Sequence, residues 1–291
     1  MSDPNPKFNL TIVGLGLIGG SIGLDLSNSP LIGYRTGVDK NQNHQQIALQ
    51  RGIVDKISNL DSSIENADIV LLALPVNIMA ETIEQVLNLA NSTCVVIDTG
   101  STKSSICKHL SDHPKRNQFV ATHPLAGTEN SGPQAAMARM FEKKVTIICE
   151  KEKSSSLAIE VANTIFEALG MKIIFMDPEE HDIHVAYVSH LSHVSSFLLG
   201  QTVLDIEKDK KNIFNLAGSG FASTVRLAKS SPEMWVPIFE QNAVYLNQAL
   251  SEYIIHLQKF QNQLINRNVD GLNKILNEAN KIRKVLEGIT P

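Results

Sequence analysis

His123 closes the apolar run Phe119-Val120-Ala121 in the segment QFVATHPLAGTENSG, residues 118–132. An imidazole titrates near neutral pH, so a histidine placed there can take a proton from a hydroxyl and pass it on. The pattern predicts a short strand, then a His-Pro turn that sets the ring at the mouth of a sheet rather than inside it. Open α/β sheets carry their chemistry there, outside the carboxyl ends of the strands. A second segment, Gly14-Leu15-Gly16-Leu17-Ile18-Gly19, follows the run Leu10–Val13 and opens a helical stretch. In that context the glycines form a dinucleotide fingerprint: one for a tight turn, one for close approach of a pyrophosphate, one for helix–strand packing. The helix start then offers unsatisfied N–H groups to the phosphates, with Leu17 and Ile18 in its first turn.

Asp39 lies twenty residues beyond Gly19, at the end of the second strand candidate. A carboxylate there accepts hydrogen bonds from ribose hydroxyls and repels a 2′-phosphate, which favours NAD. Lys40 beside it leaves NADP open. Leu74 and Pro75 end the third main strand where a cofactor would pass, although ordinary strand–helix punctuation reads the same way. In Asp98-Thr99-Gly100-Ser101-Thr102-Lys103 a strand ends in an acid and a glycine frees the backbone. Ser101 there either caps a helix or stands beside a nicotinamide.

Short β-rich runs alternate with helical stretches from Phe8 to about Met176, which predicts a mostly parallel sheet covered on both faces. The strand candidates are Asn9–Val13, Tyr34–Val38, Ile69–Leu74, Cys94–Ile97, Phe119–Ala121, Val145–Cys149 and Lys172–Phe175. Beyond Asp177-Pro178 only helical patterns remain, with breaks near Lys208–Asn212, Gly218–Gly220 and Ser230–Pro232. The long final segments, about Pro237–Asn266 and Val269–Leu286, carry apolar residues at three- and four-residue steps. They are expected to bury that stripe against a second copy. The expected domains are therefore residues 1–176 and 177–291.

A net charge of −4 gives no reason to expect nucleic acid or an anionic membrane as partner. The longest apolar run, Ile69 to Leu74, is far short of the ~20 residues of a membrane span. MSDPNPKF lacks the basic and apolar parts of a signal peptide. Three widely spaced cysteines fit a reducing compartment. A cytoplasmic protein is expected. His181, His184, His190 and His193 raise the question of a metal. At about 100° per residue the first two point away from the last two on one helix, so no metal site is expected.

Taken in order, the glycine fingerprint, VIDTGSTKSSI, THPLAGTENSG, HDIHVAYVSHLSH and GSGFASTVRLAKSSPEMW resemble the prephenate/arogenate dehydrogenase family of tyrosine biosynthesis. The resemblance covers essentially the whole chain. It is closest to an NAD-dependent prephenate dehydrogenase without an added regulatory domain. It implies an α/β protein: a Rossmann-like dinucleotide-binding domain, then an all-α dimerisation domain like the C-terminal one of 6-phosphogluconate dehydrogenase. The implied reaction oxidises a cyclohexadienol bearing a ring carboxylate and releases CO2. His123 matches the family's catalytic histidine, and Ser101 the serine between that histidine, the substrate hydroxyl and the cofactor. Arg226 matches the carboxylate-binding arginine and His193 a histidine lining the substrate pocket. Thr128 and Glu129 lie in the loop bordering that pocket. Trp235 matches an aromatic that reaches the neighbouring subunit's site, or else anchors a core or an interface.

Two positions depart from the family pattern. Ser223 stands where an aspartate often precedes the arginine, which leaves open how Arg226 is held. Ser192 replaces a proline between His190 and His193, which should straighten the helix there. Prephenate and arogenate are not separated at this stage, although the NAD preference and the TENSG loop lean towards prephenate. A different NAD(P)-linked dehydrogenase or imine reductase would not need the THPLAG string. A non-catalytic dinucleotide sensor would bring an appended module, for which no segment remains.

Overall fold

The computed structural model describes residues 8–209 and 213–287. The stretch 1–7, read above for targeting, and residues 210–212 of the expected break at Lys208–Asn212 lie outside them. Eight strands form one sheet in the order β3-β2-β1-β4-β5-β6-β7-β8. They are β1 (Phe8–Val13), β2 (Ile32–Val38), β3 (Lys56–Ile57), β4 (Ile69–Leu72), β5 (Val95–Asp98), β6 (Phe119–Pro124), β7 (Val145–Cys149) and β8 (Lys172–Met176). Every neighbouring pair is parallel except β6 and β7. The two-residue β3 was not predicted; it is too short to show an apolar rhythm.

Helices α1 (Leu17–Asp25), α2 (Gln42–Gln50), α3 (Leu60–Ile64), α4 (Val76–Leu89), α5 (Ser104–His109) and α6 (Ser156–Ala168) cover the sheet. The strands read as continuous apolar runs because both faces are buried. Leu10, Ile12, Ile69, Leu71 and Ile97 point to one core with Ile22 of α1 and Val161, Ile165 and Phe166 of α6. Val13, Val70, Leu72 and Val96 point the other way, to Met79, Ile83 and Val86 of α4 and Ile106 of α5. The two-residue alternation of strands thus serves two separate cores.

The all-helical part comprises α7 (Pro178–Val185), α8 (Leu191–Asp209), α9 (Ser219–Thr224), α10 (Pro232–Gln241), α11 (Ala243–Ile265), α12 (Val269–Ala279) and α13 (Arg283–Leu286). No strand occurs after Met176 among the described residues. Between α7 and α8 a π turn spans Ala186–His190. Ser192, where the missing proline suggested a straighter helix, lies within α8, and the irregularity precedes it, at Ala186–His190. The chain divides into two compact units at 243/244, so α7 to α10 belong with the sheet. In the second unit Ile254, Ile255, Leu257, Leu264, Ile265 and Leu276 are exposed. Among the described residues no helix is long and apolar enough to cross a membrane.

Candidate active site

At the carboxyl end of β1 the backbone is shaped by Gly14, whose φ of +94° excludes most side chains. A Cβ there would meet the Ala73 carbonyl oxygen at 2.2 Å, and one on Gly19 would meet the Gly14 oxygen at 2.0 Å. Gly16 differs: a Cβ there would meet nothing within 4 Å. Two glycines thus let chain pack on chain, while the third faces open space at the N-cap of α1. That is the cradle a pyrophosphate requires, and the residues present fit a dinucleotide. Asp39 follows β2 and accepts the backbone N–H groups of Leu15 (2.9 Å) and Asn41 (2.8 Å), which ties it to this loop. Lys40 is exposed. Pro75 is the N-cap of α4, and Leu74 is half-buried against the Gly14 turn.

The strand carrying His123 is longer than predicted. β6 pairs with β5 only at Phe119 and Val120, then runs past the end of β5 and pairs antiparallel with β7, His123 opposite Ile147. His123 and Pro124 are therefore strand residues, and the expected His-Pro turn is absent. The ring is still beyond the last residue of the parallel neighbour, because β7 supplies the hydrogen bonds that β5 no longer can. Asp98, the last residue of β5, accepts the N–H groups of Thr122 (2.9 Å) and Gly100 (2.8 Å). Its carboxylate also receives the Lys103 ammonium, which donates in turn to the Thr122 carbonyl at 2.7 Å. Both charged groups are fully buried. Such a pair is held in place by its hydrogen bonds, and losing one partner strands a buried charge.

Ser101 lies between Asp98 and Lys103 and is half-buried. It is not the cap of α5; Lys103 is the N-cap residue, without a side-chain cap bond of its own. The cap comes from elsewhere, since the Asp182 carboxylate of α7 accepts the N–H groups of Lys103 (2.8 Å) and Ser104 (2.9 Å). Thr102 donates to Gln241 at 2.7 Å, and Gln241 to the Val76 carbonyl at 2.8 Å, so α10 grips both loops. No hydrogen bond joins Ser101 to His123 among the described residues.

His123 meets His181 edge-on, Nδ1 to Nε2 at 2.8 Å, and His181 Nδ1 meets Asp182 Oδ1 at 2.8 Å. Burial, the His181 ring and the Lys103 charge hold the His123 pKa well below the ordinary histidine value. The ring is neutral at pH 7 and free to take a proton. His190, pushed down to about 4 chiefly by burial, accepts from Asn242 at 3.0 Å. Among the described residues no group of three or more His, Cys, Asp or Glu side chains is arranged to hold a metal ion.

His193 stacks on Trp235, ring centroids 3.4 Å apart and planes 25° from parallel, and its Nδ1 reaches the Ser189 carbonyl at 3.0 Å. Trp235 is 7% exposed and packs with Val76, Ile238 and Phe239 of its own chain. It is thus held against its own chain by these contacts. Arg226 donates through Nη1 to Glu129 Oε2 at 2.6 Å, with half of its side chain exposed. Glu129, across the loop, is what holds Arg226 where Ser223 offers no carboxylate. Burial, aided by the nearby Arg226 charge, lowers the His193 pKa, against the Ser189 hydrogen bond. Thr128 precedes Glu129 and accepts the Asn130 N–H at 3.2 Å. His181, Asp182 and the buried Lys103 were not assigned roles from the sequence. What fixes them comes in part from other elements: His123 meets His181, and the Lys103 and Ser104 N–H groups meet Asp182.

The family model for the prephenate dehydrogenase nucleotide-binding domain matches residues 22–175, and that for its dimerization domain matches residues 177–278. The chain belongs to the prephenate dehydrogenase family. Among its relatives, the cyclohexadienyl dehydrogenase of Zymomonas mobilis is 30% identical, with 96% of each chain covered. The prephenate dehydrogenase of Bacillus subtilis is 28% identical over 95% of this chain and 76% of its own. Aquifex aeolicus prephenate dehydrogenase, solved with hydroxyphenyl propionate and NAD+, is 28% identical and superposes with a TM-score of 0.88, covering 97% of this chain and 99% of its own. Synechocystis arogenate dehydrogenase, also 28% identical, gives 0.76, covering 95% and 99%. The family is one of oxidoreductases with a Rossmann-like nucleotide-binding domain followed by a helical dimerisation domain, as in this chain.

Proposed function

We propose that this chain oxidises prephenate to 4-hydroxyphenylpyruvate and CO2 with NAD+, in L-tyrosine biosynthesis, as a cytoplasmic homodimer. The observation that carries the reading is His123. It is neutral, partly exposed, hydrogen-bonded among the described residues through Nδ1 alone, and set beyond the end of the parallel sheet beside the Ser101 loop. When bound in the glycine cradle, NAD+ supplies the hydride acceptor. Residues 1–176 hold that cofactor, and residues 177–291 complete the substrate pocket and make the dimer.

His123 Nε2 takes the hydroxyl proton as the carbinol carbon is oxidised, so an O–H bond breaks and an N–H bond forms. The ring carboxylate then leaves as CO2, its bonding electrons aromatise the ring, and the resulting phenolate regains the proton. Ser101 orients the hydroxyl. The open arm of the Arg226 guanidinium receives a substrate carboxylate, while Glu129 fixes the other arm. His193, held by Trp235, lines the same pocket, bordered by Thr128. Gly14, Gly16, Leu17, Ile18, Gly19, Leu74 and Pro75 line the cofactor path, and Asp39 selects NAD through its ribose.

Arogenate is the second reading. Glu129 is an acceptor suited to the ammonium that arogenate carries in place of a keto group, and the Zymomonas relative is a cyclohexadienyl dehydrogenase. Steady-state rates for prephenate and arogenate, each with NAD+ and NADP+, decide between them. The proposal expects the highest kcat/KM for prephenate with NAD+. Reduction with arogenate alone would reverse the substrate, and reduction with neither would overturn the assignment.

A further inference from the structure

The contacts of His123 form one line: His123 Nδ1 to His181 Nε2 at 2.8 Å, then His181 Nδ1 to Asp182 Oδ1 at 2.8 Å. The carboxylate end sets the direction of both hydrogen bonds. Burial raises the pKa of Asp182, but the His181 side chain and the backbone N–H groups of Lys103 and Ser104 outweigh it, and the net shift is downward. Asp182 is therefore ionised and can only accept. His181 Nδ1 must carry the hydrogen. Burial also holds His181 below its ordinary value despite the pull of Asp182, so its ring is neutral and its lone pair lies on Nε2. That nitrogen can only accept, and so His123 Nδ1 must donate. In neutral His123 the remaining lone pair is then on Nε2, the nitrogen without a hydrogen-bond partner among the described residues.

We propose that His181 and Asp182 are positioning residues that fix His123 as the Nδ1–H tautomer, with its Nε2 lone pair turned to the reaction. The inference rests on reading His123 as the proton acceptor. The other tautomer would present an N–H to the substrate hydroxyl and could not take its proton. After transfer, the Nδ1–H of the imidazolium stays bonded to His181, so charge that develops on His123 is shared along a chain ending in a carboxylate. Asp182 also caps α5, which ties this chain to the Ser101 loop and fixes both in one frame.

The tautomer can be read without turnover. Wild-type protein labelled with 15N-histidine, His123 assigned by its loss in His123→Asn, is expected to show Nδ1 protonated and Nε2 bare at neutral pH. A protonated Nε2 in the resting enzyme would overturn the proposal, whatever the variants do. In kinetics, His181→Phe is expected to lower kcat by about 10–100-fold with KM little changed, as for other supporting hydrogen-bond partners. His181→Gln, whose amide oxygen can accept from Nδ1, is expected to recover about tenfold of that loss. Equal kcat in the Phe and Gln variants, both folded by near-ultraviolet circular dichroism, would also overturn it. A His123→Asn enzyme with wild-type turnover would instead remove His123 as the base, an outcome that the spectrum does not depend on.

Discussion

His123 must be neutral to accept a proton, and its surroundings ensure that it is. Burial, the His181 ring and the charge on Lys103 all disfavour the cation. Activity is present while the ring is neutral and is lost as pH falls through its pKa. The acid limb of kcat/KM is therefore expected to have its midpoint below 6.5. A midpoint at or above that value, measured across a pH series with prephenate, would contradict this. Arg226 poses a simpler question. If its open arm grips a carboxylate, Arg226→Ala removes a charge-assisted bond worth about 1.5–3 kcal/mol, or roughly 10–100-fold in prephenate KM. Little change in KM would place the substrate elsewhere. At this scale the sequence exposes residues that sit in distinctive strings: His123, Ser101, Glu129 and Arg226. It conceals those whose meaning is a partner. His181 is one of four nearby histidines until β6 brings His123 against it from 58 positions away.

The glycine loop shows how one element divides its labour. Gly19 meets backbone, so Gly19→Ala forces the Gly14 carbonyl aside and is expected to lower Tm and cofactor affinity together. A Cβ on Gly16 would meet nothing within 4 Å, so Gly16→Ala is expected to leave Tm unchanged while raising the KM for NAD+. Thermal melts paired with cofactor titrations separate the two; equal loss of Tm in both variants would remove the cradle reading of Gly16. Most elements are legible from apolar rhythm, and β7 is found with its bounds intact. β6 is misjudged because its second half takes its hydrogen bonds from β7 rather than β5, which no local pattern reports. The π turn before α8 is likewise invisible. Its last residue, His190, bonds Asn242 and lies edge-on to Trp235, partners more than forty residues on.

At the scale of the whole molecule, the apolar residues left exposed on α11 and α12 need a partner, and the matched dimerization domain indicates a second copy. Sedimentation equilibrium is expected to give twice the 31.9 kDa of the chain; a monomer at micromolar concentration would contradict it. The two-part layout is legible because strand and helix rhythms occupy different stretches. That α7 to α10 pack with the sheet is not, because it depends on single bonds such as those of Asp182 and Gln241. In the proposed reading the layout separates the tasks: glycine loop for cofactor, Arg226 for the anion, His123 for the proton. Removing one group should therefore leave the others working. His123→Asn tests this most directly, with kcat for prephenate oxidation and the Kd for NAD+ measured on the same protein. The expected result is a fall in kcat of about 10²–10⁴-fold with the NAD+ affinity unchanged. A kcat close to that of the unaltered enzyme would show that the proton leaves by another route.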